Sequence, residues 1–162
     1  MHSNEYQWVK QTRAILLDFC KELHPDDFTR YHEQGSPSIR DTLVHIADCY
    51  HAWLGSYILL QTKTPITSNE QRLSFDLKDI QARFTQVDRY VDQVLLEYAH
   101  VMDEPIQRSI PWRDQGEPIS MTPSKLLLHT ITHEFHHKGQ VMALARQMGY
   151  VPPNTDILGT KE

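Results

Sequence analysis

The stretch HTITHEFHHKGQ, residues 129–140, carries four histidines in nine residues, and within it His133-Glu134-Phe135-His136-His137 spells H-E-x-x-H. That is the zinc-protease signature, two histidines one helical turn apart with a glutamate beside the first. Whether the helix that bears it belongs to a protease or to a bundle of helices decides the fold. Thr122-Pro123 supplies an N-cap with proline at the first helical position, and Gly149 supplies a stop, so the motif lies mid-helix. At about 100° per residue, His133 and His137 fall about 40° apart and about 6 Å along the axis, which lets two imidazoles share one ion. Leu126, Thr130, Gln140, Leu144 and Met148 lie on the same face, which is therefore expected to turn inward. Two histidines in such a place need hydrogen-bond partners or a metal, because unpaired buried polar groups are costly.

A protease needs its third ligand downstream. One form of the motif demands glycine and histidine where this chain has Gln140 and Ala143. The other demands a glutamate on a following helix, yet beyond Gly149 the acidic residues are Asp156 and Glu162. No strand upstream offers a substrate-binding edge, and the protease reading is set aside. Upstream, His45 shares a helix face with Thr42, Ile46, Cys49, Trp53 and Leu60 and is expected to point inward as well. His51, about 120° round from it, is expected in solvent. His45, His133 and His137 then form a three-histidine site with open coordination positions, as catalytic zinc sites have. The alternative is that His45 merely bonds a neighbouring carbonyl.

The remaining chain also reads as helix. Trp8, Ile15, Phe19 and Leu23 recur at helical spacing over residues 4–23. Ser38, with Asp41 three residues on, resembles a capping box and opens a helix reaching about Leu60. In a third helix Leu77, Ile80, Phe84, Val87, Val91, Val94 and Tyr98 alternate three and four, with His100 exposed near its C-terminus. Pro105, Pro111, Gly116 and Pro118 interrupt residues 101–121, which predicts a short hairpin around Asp114-Gln115-Gly116 serving as a lid or pocket wall. The tail from Val151 to Asp156 is irregular and expected to pack back over the helices. Four long helices and almost no strand predict an all-α fold, a four-helix bundle, in a single domain over residues 1–162.

Composition narrows the function. The net charge is −5 without a Lys/Arg stripe, which argues against a nucleic-acid partner. No apolar run approaches bilayer length and no N-terminal signal pattern is seen, so a cytoplasmic protein without membrane contact is expected. Cys20 and Cys49 are far apart and suggest neither a disulfide nor a thiolate zinc site, leaving nitrogen or oxygen to hold any metal.

SIRDTLVHIADCYHAWL (38–54), HTITHEFHHKGQ (129–140) and PPNTDIL (152–158) together resemble the DinB/YfiT family of bacterial metalloproteins, and the likeness runs from the first helix to the tail. The resemblance implies a four-helix bundle, typically wound up-down-down-up, holding one divalent ion, zinc by presumption with nickel as the alternative. The ligands it implies are one histidine of the second helix and two of the fourth, here His45, His133 and His137. It implies hydrolase-like or thiol-S-transferase activity on a small-molecule substrate, the latter with a low-molecular-weight thiol such as bacillithiol. The contrasting reading is a non-catalytic metal-binding or stress-response protein whose ion is structural. Glu134 is left as either a catalytic base or a structural carboxylate. His129 and His136 flank the site as supporting polar groups, and Gln140 can line its pocket. Gly139 suggests close approach of another backbone, and Cys49 is expected buried and inert. Leu128, Ile131, Phe135 and Met142, opposite the histidine face, predict a homodimer.

Overall fold

The computed structural model describes residues 2–31 and 37–162. Helix α1 spans Ser3–Cys20, and the single turn α2 spans Pro25–Thr29. Helix α3, Ile39–Tyr50, continues without a break into a π-helix, His51–Ile58. The short α4, Asn69–Ser74, precedes the long α5, Leu77–Glu97. Strands β1, Ile106–Arg108, and β2, Ile119–Met121, pair antiparallel with Gln107 opposite Ser120, so the expected hairpin is present. Helix α6, Pro123–Gln147, and a 3-10 turn at Ile157–Gly159 complete the order. The protein is mostly helical, an all-α fold with one small two-stranded sheet.

Helix ends follow local chemistry. Ser38 Oγ accepts the Asp41 amide at 3.1 Å, and Thr122 Oγ1 accepts the Lys125 amide at 3.2 Å, each satisfying an otherwise orphaned donor. Helix α6 stops at Gly149, whose φ of 91° favours glycine, and the Tyr150 N–H closes on the Ala145 carbonyl at 3.0 Å.

Helix α3 is the central element, packed against both α5 and α6, while α1 lies on α5. Every residue of Ile39–Tyr50 except His45 is buried. Ile80, Phe84, Val87, Val91 and Val94 of α5 are buried as their spacing predicts. In the π-helix the Leu59 N–H bonds the Leu54 carbonyl five residues back at 2.9 Å. Gly55 is required there, because a Cβ would lie 2.6 Å from Cε2 of Tyr90.

The central position of α3 overturns one expectation. His51, predicted in solvent, is buried, with its ring edge-on to Tyr90 and Nε2 3.3 Å from the Arg83 carbonyl. A helix covered by neighbours has no solvated side at that point. Burial, then the Arg83 charge, push the His51 pKa from 6.5 down to about 4. The unfolded chain therefore binds a proton that the folded chain refuses. The stabilising effect is complete above pH 6.5 and lost as pH falls from there through about 4. Urea unfolding of metal-free protein across that window should show wild type losing about 3 kcal/mol more than His51→Gln. Parallel curves for the two proteins would show that His51 contributes nothing to acid sensitivity.

The face expected to form a homodimer is largely used within the chain. Ile131 and Met142 are buried, Phe135 is half-buried with the Lys138 ammonium 3.6 Å from its ring centroid, and only Leu128 stands exposed. Leu128 and the open part of Phe135 are what that face leaves uncovered. The tail packs back as expected: residues 152–156 line a cleft of about 560 Å³ with α6, and the Lys161 backbone bonds the Gln11 side chain. Gly139 faces no backbone, since a Cβ there would meet nothing within 4 Å. Among the described residues no helix is long and apolar enough to cross a membrane.

Candidate metal centre

The packing of α3 on α6 brings His45 to His133 and His137. His133 Nε2 lies 3.1 Å from His45 Nε2 and 3.1 Å from His137 Nε2. One ligand atom from each of the three falls within 4.8 Å of the others, and among the described residues no carboxylate or thiol joins the group. The orientation differs from expectation. His45 is exposed, and His133 and His137 are half-buried. Leu126, Thr130 and Leu144 of the expected face are buried, but the buried surface of α6 extends through Leu127, Ile131, Glu134, Lys138, Val141 and Ala145, a stripe turned about 100° from the histidines. The histidines stand at the rim of the core, and His45 is the one point where α3 meets solvent.

The donor set fits a metal ion. Zinc–imidazole bonds of about 2.0–2.1 Å in a tetrahedral shell place neighbouring ligand nitrogens about 3.3 Å apart, close to the 3.1 Å from His133 Nε2 to each of its two neighbours. In the tautomers that present all three Nε2 lone pairs to one point the imidazoles have no proton to share there, and a cation would satisfy all three. Burial, then the neighbouring rings, push His133 down to about 3. Burial and His137 lower His45 likewise. Burial lowers His137 too, and each shift favours the neutral imidazole, the form that binds metal. His133 Nδ1 is buried and has no hydrogen-bond partner among the described residues.

Groups around the three histidines shape the site. Gln140 Oε1 lies 2.6 Å from His137 Nδ1, and its Nε2 lies 3.1 Å from His136 Nε2. The His129 ring stands 5.7 Å from that of His133 and 6.1 Å from that of Trp53, which meets Trp112 edge-on at 5.3 Å. Trp112 comes from the 101–121 segment. That segment is tied to the π-helix by the Tyr57 hydroxyl, 2.8 Å from the carbonyls of both Ile106 and Ile119. An aromatic wall thus flanks the histidines. Trp53 could be read from its place on the His45 face; Trp112 could not, because nothing local marks it. Cys49 is buried with its thiol pushed up to about 12 by burial and Asp48, and its Sγ lies 3.7 Å from His129 Nε2. Its inertness at neutral pH follows.

Glu134, the candidate base, does not join the histidines. Arg13 of α1 grips it bidentately, Nε to Oε1 at 3.0 Å and Nη2 to Oε2 at 2.8 Å, and the Tyr50 hydroxyl donates to Oε2 at 2.7 Å. Lys138 Nζ lies 3.9 Å from Oε1 and bonds Thr12. Arg13 also reaches Asp88 at 2.6 Å, so one buried network joins α1, α3, α5 and α6. Burial alone would raise the Glu134 carboxyl, but the charge and hydrogen bonds of Arg13, with Lys138 and Tyr50, hold it below its ordinary value. It is an ionised carboxylate with both oxygens engaged.

The whole chain, residues 1–162, matches the DinB family. The chain belongs to the DinB family. Two relatives from Bacillus subtilis (strain 168) are similar along most of their length. It is 28% identical to the uncharacterized protein YizA over 159 residues, 96% of this chain and 91% of that protein. It is 26% identical to protein DinB over 159 residues, 93% of this chain and 88% of that protein.

Proposed function

We propose that this DinB-family protein winds its four long helices as an up-down-down-up four-helix bundle, holds one zinc or nickel ion at His45, His133 and His137, and transfers a low-molecular-weight thiol such as bacillithiol to an electrophilic small molecule. The observation that carries this reading is the convergence of three Nε2 atoms at a solvent-facing rim, with no carboxylate joining them among the described residues. A divalent ion there would supply Lewis acidity, lowering the pKa of a thiol or water toward about 7. Thiol transfer needs no protein base, whereas hydrolysis does. Glu134, with both oxygens held by Arg13 and Tyr50, favours the thiol over the water. The Trp53–Trp112 pair offers the electrophile an apolar surface beside His129.

Titrating cobalt-substituted protein with bacillithiol and other small thiols should produce the intense sulfur-to-metal absorption. Conjugation of a model electrophile should persist in Glu134→Gln within a fewfold of wild type, once both proteins are compared at equal folded fraction. If thiols leave the spectrum unchanged while esters or amides are cleaved in a Glu134-dependent way, the protein is a hydrolase. If neither occurs on metal-loaded protein, the ion is structural.

A further inference from the structure

Gln140 holds two histidines with the two ends of one amide. Its Oε1 lies 2.6 Å from His137 Nδ1 and its Nε2 lies 3.1 Å from His136 Nε2, contacts that helical spacing of three and four residues permits. We infer that Gln140 is a positioning residue that fixes the tautomer of His137, with His136 fixing the amide in turn. This inference rests on the metal reading of the three histidines.

The argument follows from which atoms can donate. An amide NH2 only donates, so His136 Nε2 accepts and the His136 proton resides on Nδ1. The amide carbonyl then faces His137 Nδ1 and must accept a proton from it. A neutral imidazole protonated at Nδ1 carries its lone pair on Nε2, the atom that stands 3.1 Å from His133 Nε2. The relay thus directs the His137 lone pair at the point the three histidines share. With the amide reversed, the NH2 would meet Nδ1, the proton would move to Nε2, and it would point at His133. His133 itself has no partner at Nδ1 among the described residues, so on α6 the ligand-side tautomer is held through His137. Gln140 is exposed, so its replacement tests the relay without opening the core.

Two measurements decide it. In metal-free wild type, 15N-detected histidine spectra should show His137 protonated at Nδ1 and unprotonated at Nε2, and Gln140→Leu should mix the tautomers. In competition with a chromogenic chelator, Gln140→Leu should bind Zn2+ roughly 10–100-fold more weakly, the usual effect of losing the partner that orients a metal-bound histidine. Gln140→Glu, which keeps the acceptor, should retain or tighten the affinity, and His136→Ala should weaken it less than Gln140→Leu. Wild-type affinity in Gln140→Leu, or a His137 proton resident on Nε2 in the wild type, overturns the relay. If wild type binds no divalent ion at all, the metal reading fails, and the metal-free spectra still decide whether Gln140 sets the tautomer.

Discussion

His133→Ala is expected to release the ion. Wild-type protein should carry about one divalent ion per chain, because three converging imidazoles form a strong nitrogen ligand set. His133 Nε2 is the apex, 3.1 Å from each of the other two nitrogens, so its loss leaves His45 and His137 without their common neighbour. The drop in affinity should exceed the roughly 100-fold attached to losing a supporting partner, since a ligand is removed rather than reoriented. His45→Ala and His137→Ala should behave similarly. His100→Ala should keep its metal because His100 is exposed and absent from the cluster, and His51→Ala should keep it while losing stability from its buried position. Elemental analysis reads the stoichiometry. Thermal unfolding supplies a second readout, because an ion at 100 times its Kd adds about 2.7 kcal/mol to wild type and nothing to a chain that no longer binds it. Retention of stoichiometric metal in all three single variants would remove the site from these residues.

The grouping of the three histidines was legible because its signal is local or nearly so. His133 and His137 share a face by helical spacing alone, and His45 shares one with apolar neighbours on its own helix. Their depth was not legible. Spacing identifies a face but not which face a neighbour covers, and α6 turns Glu134 and Lys138 inward while its histidines reach the rim. The reason lies on another helix: Arg13 provides the charge that makes a buried Glu134 tolerable, and its pairing across 121 residues leaves no trace at position 134. His51 failed for the same reason, since its cover comes from Tyr90 and Arg83 on α5. The α5 stripe and the Thr122 and Gly149 helix ends could be read because caps and periodicity act within a few residues.

The Arg13–Glu134 pair is expected to be worth more to stability than any other polar contact in the core. Its side chains are 4% and 1% exposed, and the guanidinium also serves Asp88 and the Tyr6 hydroxyl. Arg13→Met leaves a buried carboxylate with only Tyr50 and the more distant Lys138 to offset its charge. Removing one partner of such a pair costs about 3–5 kcal/mol, because the remaining charge stays desolvated. Glu134→Leu should cost less, because Arg13 keeps Asp88 and the Tyr6 hydroxyl although it then lies beside Lys138, whose own pKa burial already depresses to about 8 against the pull of Glu134. The double variant Arg13→Met/Glu134→Leu removes both charges and should recover much of the loss, giving strong coupling in a urea-unfolding cycle. A base role makes the opposite forecast: Glu134→Gln would leave stability unchanged and abolish turnover. Additive losses in the cycle, with stability intact in Glu134→Gln, would overturn the structural assignment. Strong coupling with retained thiol transfer would establish that the glutamate of this H-E-x-x-H motif anchors α6 to α1 rather than serving as a base.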